Sequence, residues 1–257
     1  MDCYIKNCSE NQVDASEFEV PAWKRILDIT CIIIAAPLIV PLMIVIALVI
    51  WYVSPGPVLF RQKRVGHRGQ TFTIFKFRSM HVAADTKVHQ DHLKHLIASG
   101  APMAKMDNRR DSRLIPLGRP LRSSGLDELP QLINVLRGEM SLVGPRPCIP
   151  YEYEQFLPWQ RERSNSLPGL TGLWQVSGKN KTTFDEMMRL DITYTQKQSI
   201  YLDCYIILKT VPVLLVQMLE SRQQKKASSN SDDLPGSGLG ASSCRLPLFS
   251  KPVSIKQ

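Results

Sequence analysis

Two adjacent carboxylates, Asp127 and Glu128, stand among three arginines, Arg119, Arg122 and Arg146, in the stretch Gly118 to Pro147, GRPLRSSGLDELPQLINVLRGEMSLVGPRP. Leu126, Leu129, Leu132, Ile133 and Leu136 recur at helical spacing, which predicts a short helix from about Leu126 to Leu136. Pro130 is tolerated near its first turn, and Gly138 ends it. At the start of a helix the backbone dipole keeps carboxylates ionised. Neighbouring side chains diverge by roughly 100° around the axis, so the two acids suit separate tasks. One carboxylate can attack while the other holds a metal, and the arginines can grip phosphate oxygens two at a time. A plainer reading also fits the pair, as first-turn acids that complement the dipole.

The elements that must hold these residues can be read on either side. Ile29 to Val53 carries no charge and is long enough to cross a hydrocarbon core of about 30 Å. Pro37 and Pro41 interrupt it, and a bend is expected there. Lys24 and Arg25 precede it, and Arg61, Lys63, Arg64 and Arg68 follow it, so both ends are expected on the cytoplasmic side. A helix that enters one leaflet and returns satisfies both ends; a plain kinked span is the alternative. Thr71 to Arg78 is rich in aromatic and β-branched residues, which predicts a hairpin across Gly66 to Gln70. Arg61, Lys63, Arg64 and Arg68 are assigned to acidic lipid headgroups. Pro168 to Lys179 is a glycine-punctuated loop with Trp174 and Gln175, suited to cradling a phosphate or stacking a base. Tyr151, Tyr153, Phe156 and Trp159 fit either the core or a membrane interface. Phe184 to Tyr194 reads as a helix, and Ile200 to Leu219, broken by Asp203, Lys209 and Pro212, as an amphipathic or buried one.

Composition narrows the partners. The 257 residues include 32 basic and 23 acidic side chains, a net charge of +9, which suits phosphates, nucleotides or acidic lipids. Nucleic acid is not expected, because no nucleic-acid-binding motif accompanies the cations. The 6 cysteines show no CxxC or paired metal spacing and read as reduced packing thiols. His89, His92 and His95 recur every third residue within 81–107, but the third drifts off the shared face, so a solvated helix is expected there rather than a zinc site. The division is a mobile tail over 1–20, a membrane segment over 21–54, a catalytic domain over 55–220 and a disordered tail over 221–257.

LDELPQLINVLRGEMSLVGPRP resembles the bacterial sugar transferases, the monotopic polyprenyl-phosphate hexose-1-phosphate transferases. KRILDI (Lys24 to Ile29), GPVLFRQKRVGHRGQTFTIFKFRSM (Gly56 to Met80), PGLTGLWQVSGKN (Pro168 to Asn180) and LDITY (Leu190 to Tyr194) extend the resemblance, which covers about residues 23 to 218. It implies an α+β, mostly helical fold. A re-entrant membrane helix breaks at Pro41, with Pro37 additional, and a compact cytoplasmic domain with a small β-hairpin follows. It also implies transfer of hexose-1-phosphate from a UDP-sugar to undecaprenyl phosphate with release of UMP, the first step of exopolysaccharide, capsule or O-antigen assembly. The place of action would be the cytoplasmic face of the bacterial inner membrane. Asp127 would be the nucleophile of a covalent phosphosugar intermediate, and Glu128 the ligand of Mg²⁺ or Mn²⁺. Lys76, Arg78, Arg119, Arg122 and Arg146 would contact phosphate, and Gln175, Asp191 and Asp203 match by motif alone. Membrane lipid, a second copy of the chain and later glycan-assembly enzymes complete the partners it allows. Gly125 and Lys179 depart from the family's usual serine and arginine, and the histidine insert and the C-terminal tail are not explained by it. A glycosidic-bond-forming transferase and an inactive scaffold remain alternatives.

Overall fold

A computed structural model describes residues 20–81, 113–178 and 182–232, with side chains through 216. The histidine-containing insert and Lys179 fall outside the described residues. The chain divides at Glu220, and the core and the site lie in the unit before that point.

Helix α1, Ala22–Val53, is 32 residues long, about 48 Å at the usual rise. It is the one described helix long and apolar enough to cross a membrane. Pro37 and Pro41 sit inside it, and the helix continues through both. The interruption expected at proline is therefore absent. Each proline removes one donor and crowds the carbonyl four residues back, which bends a helix without ending it. The middle of α1 is open, with Ile33, Ile34, Leu38 and Val40 exposed, and no residue between Asp28 and Ile46 is buried. Near the start Lys24 and Asp28 are buried, and near the end Ile46 and Ile50 pack with Phe77, Ile115 and Leu121. Arg25 holds the carbonyls of Val135 and Leu136. Lys24 and Arg25, read from the sequence as charges beside a membrane segment, are thus committed to the domain.

Strands β1, Leu59–Val65, and β2, Thr71–Phe77, form the expected antiparallel hairpin around a 3-10 turn at His67–Gly69. After α2, Gly118–Ser124, the stretch expected as one helix comes in two pieces: a 3-10 segment, Leu126–Gln131, and then α3, Leu132–Arg137. Pro130 lies in the 3-10 piece, where its missing donor costs little. Gly138 closes α3 at φ 82°, as expected.

Strand β3, Ser141–Val143, leads through the Pro-Arg-Pro turn to the short helices α4, Pro150–Glu154, and α5, Pro158–Arg161. Strand β4, Gly169–Thr171, pairs with β3 in parallel, and α6, Leu173–Val176, follows. A Cβ on Gly169 would stand 2.0 Å from the Gly144 nitrogen, so this glycine exists for backbone contact. Trp174 is buried and donates to Thr182 Oγ1 at 2.6 Å, so it does not stack a base. It packs with Phe156, Phe184, Met187 and Met188, against which Tyr153 and Trp159 also lie, so these aromatics serve the core. Helix α7, Phe184–Gln196, starts on a Thr183 cap with Glu186 completing the capping box. Helix α8 runs Ile200–Asp232, past position 221 where the sequence reading begins a disordered tail.

Candidate active site

Gly125 joins α2 to the acidic 3-10 segment at φ 75°, a left-handed conformation that glycine takes at least cost. The Glu128 N–H donates to the Gly125 carbonyl at 3.1 Å, which closes the first 3-10 turn around Asp127. Asp127 and Glu128 are half-buried. The preceding α2 carries Arg119, exposed, and Arg122, half-buried.

Strand β2 supplies the facing cation. Lys76 Nζ donates to Glu128 Oε1 at 2.7 Å, with side-chain exposures of 19 and 36 %. Such a pair is open enough for a phosphate or a cation to reach, and its own contribution to stability is small. What sets the two elements together is Asn134, fully buried on α3. Its Nδ2 donates to Thr73 O at 2.7 Å and its Oδ1 accepts from Phe75 N at 3.2 Å. Asn134 thereby takes the place of a third strand along the outer edge of β2, and it also donates to Glu139 Oε2 at 2.6 Å. A polar residue in the middle of LINVL was the sequence signal for this buried contact, and reasoning from apolar spacing passed over it.

Arg146, at the crown of the turn Pro145 to Pro147, is exposed. The Arg64 guanidinium feels the charge of Arg146 and, more weakly, that of Glu128. Burial pulls Arg64 down to about 10, with the Arg146 charge adding to the effect, so it stays cationic at neutral pH. Arg64 donates to Pro147 O at 3.1 Å and is buried, so it does not lie among lipid headgroups as the run of cations suggested.

Other sequence candidates have different partners. Arg78 is buried and donates to Pro55 O at 2.9 Å and Ser54 O at 2.5 Å, closing the end of α1 rather than facing a diphosphate. Asp203 Oδ2 accepts from Lys24 Nζ at 2.6 Å, and its Oδ1 from Tyr194 Oη at 2.7 Å; Lys24 also donates to Val143 O at 2.9 Å. Asp191 Oδ2 meets Arg163 Nη2 at 2.5 Å. Burial pushes Asp191 up to about 6, against the pull of Arg163. With 2 and 0 % exposure, Asp191 and Asp203 are out of a substrate's reach and tie elements together. Gln175 is half-buried and donates to Leu170 O at 3.2 Å, while its Oε1 is buried with no hydrogen bond among the described residues. Asn134 and Arg163 are the residues of this framework that the sequence did not single out, while Lys24 and Arg64 were read there as charges beside a membrane and Tyr194 as the end of LDITY.

No group of three or more histidine, cysteine or acidic side chains stands ready for a metal among the described residues. One carboxylate at a half-open site still fits Mg²⁺, which keeps several waters and takes its remaining ligands from substrate phosphates.

Residues 20–217 match the family model described as bacterial sugar transferase. The UDP-glucose:undecaprenyl-phosphate glucose-1-phosphate transferase of Caulobacter vibrioides is 42% identical over 200 residues, covering 75% of this chain and 69% of that one. The exopolysaccharide production protein ExoY of Rhizobium meliloti is 36% identical over 191 residues, 74% of this chain and 84% of its own. The galactosyl transferase CpsE of Streptococcus agalactiae is 43% identical over 200 residues, 75% of this chain but 42% of its own length, so the chain spans less than half of that relative. A match across most of the chain, on the blocks that carry the acidic pair and the Pro-Arg-Pro turn, places it: the protein belongs to the bacterial sugar transferase family.

Proposed function

We propose that the chain transfers hexose-1-phosphate from a UDP-hexose to undecaprenyl phosphate and releases UMP. The observation that carries this reading is the open Lys76–Glu128 pair next to Asp127, with Arg119 and Arg122 on the preceding helix. The names of relatives, UDP-glucose:undecaprenyl-phosphate glucose-1-phosphate transferase and undecaprenyl-phosphate galactose phosphotransferase, support the substrate class.

Phosphoryl transfer asks a protein mainly for positioning and charge neutralisation. An Asp127 oxygen attacks the sugar-bearing phosphorus; the bond from that phosphorus to the bridging oxygen breaks, and UMP leaves. An oxygen of undecaprenyl phosphate then attacks the same phosphorus and releases Asp127. Lys76, Arg119, Arg122 and Arg146 offset charge on the diphosphate oxygens. Glu128 would hold Mg²⁺, which when bound neutralises diphosphate charge and activates the phosphorus. Before that, the ion pair with Lys76 orients Glu128.

The lipid acceptor demands a membrane, and α1 supports a specific attachment. Both of its ends pack on the domain: Lys24 on Val143 and Asp203, Ile50 in the cluster with Phe77. Ends held by one body cannot lie on opposite faces of a bilayer. The apolar middle of α1 would dip into the cytoplasmic leaflet of the inner membrane and return. The test of the reaction is product analysis: incubated with UDP-glucose or UDP-galactose and undecaprenyl phosphate, the protein should release UMP. UDP as the product would instead mean glycosidic-bond formation.

A further inference from the structure

The Pro-Arg-Pro turn is held through its carbonyls. Proline has no N–H, so the turn can offer few donors, and its fixation must come from groups that donate to it. Four successive carbonyls each accept one bond. Pro145 O accepts from Gly169 N at 2.9 Å, Arg146 O from Arg163 Nη2 at 2.8 Å, Pro147 O from Arg64 Nη1 at 3.1 Å, and Cys148 O from Val65 N at 2.9 Å. Pro145, Pro147 and Cys148 are buried, and Arg146 alone sends its side chain outward.

Two of the four donors are buried guanidiniums, with Arg163 at 4 % and Arg64 at 7 % exposure. Each also holds a second acceptor. Arg163 Nη2 also meets Asp191 Oδ2 at 2.5 Å, and Arg64 directs Nε and Nη2 to Gln62 Oε1 at 3.2 and 2.7 Å. Burying a guanidinium costs more than burying a neutral donor, so holding a carbonyl alone does not explain the choice. A planar guanidinium does: a second acceptor, buried Asp191 for Arg163 and half-buried Gln62 for Arg64, fixes its plane and so aims an N–H at one carbonyl. The backbone under Arg146 then has one orientation available.

We propose that Arg163, set by Asp191, and Arg64, set by Gln62, are positioning residues that fix the direction in which Arg146 meets the diphosphate of the nucleotide sugar; this rests on the reading of Arg146 as a diphosphate contact. Lysine in place of either arginine keeps the charge but not the planar guanidinium that fixes the direction of its N–H groups.

The test is a double-mutant cycle on the full chain in nanodiscs, following UMP release. Arg146→Ala, Arg163→Lys and Arg64→Lys should each raise the KM for the UDP-sugar about tenfold, the size of one lost charged contact. The KM for undecaprenyl phosphate should stay the same. In the Arg146→Ala background, Arg163→Lys should add nothing further, because the guanidinium it positions is gone. Effects that multiply in the double variant, or an Arg163→Lys protein with unchanged KM, would overturn the clamp while leaving the Arg146 reading in place. An Arg146→Ala protein with unchanged KM would overturn that reading, and the clamp with it. Thermal unfolding controls for folding, and if Arg163→Lys does not fold, Arg64→Lys runs the same cycle from the neighbouring carbonyl.

Discussion

At the scale of single residues, side chains of one charge type divide into those that stay open and those that are committed inside. Glu128 and Lys76 are partly exposed and face each other at 2.7 Å. Chelator, or Glu128→Gln, is expected to cut UMP release at least a hundredfold while far-UV circular dichroism stays unchanged, since the substitution is isosteric. Activity that persists in both would remove the metal from the mechanism. Asp191 is committed, and its behaviour with pH follows from its burial. Its folded-state value is raised from 3.8 to about 6. An acid raised on folding works against the fold as it ionises, so its contribution to stability falls as pH rises between those two values and is level outside them. The difference in unfolding midpoint between wild type and Asp191→Asn should therefore change across that window; parallel profiles would contradict the assignment. The acidic pair was legible because adjacent acids with nearby arginines are visible in any linear reading. Arg64 and Arg78 were not. Arg64 and Val65 are consecutive yet both buried, since the end of β1 is covered on both sides and strand alternation fails there. Arg78 lies just past β2, where no periodicity applies.

At the scale of elements, the hairpin and the apolar helix could be read from composition, because β-branched alternation and a long uncharged run are local signals. The split of the Leu126 to Leu136 helix could not, because a proline in a first turn suits an α- or a 3-10 turn equally. Nor could the pairing of β3 with β4, which joins short segments far apart in sequence. The link between β2 and α3 rests on Asn134. Asn134→Ala leaves Thr73 O and Phe75 N half-buried without their partner, and should cost about 1–3 kcal/mol of stability. Chemical denaturation in detergent measures it, and a loss under about 0.5 kcal/mol, the range of ordinary surface substitutions, would show that β2 does not depend on this contact. In α1, replacing Pro37 and Pro41 with leucine restores two backbone donors and favours a straight helix. The replaced protein is expected to shift toward a spanning arrangement, against the hold of its two packed ends.

At the scale of the whole molecule, the acidic pair, the arginines and the apolar helix belong to one apparatus, because the same domain that carries the pair grips both ends of α1. Cysteines introduced at Val20 and Pro57 in a cysteine-free background should both resist a membrane-impermeant maleimide added from outside and both react after permeabilisation. Labelling of Val20→Cys from outside would contradict the re-entrant attachment. The central claim is that Asp127 attacks phosphorus. The direct measurement is intact mass after mixing the protein with Mg²⁺ and UDP-hexose in the absence of undecaprenyl phosphate. The account predicts a hexose-phosphate adduct that maps to Asp127, with UMP released in equal amount, and no adduct in Asp127→Asn. Substantial turnover by Asp127→Asn, or strictly ternary-complex kinetics without an adduct, would contradict it.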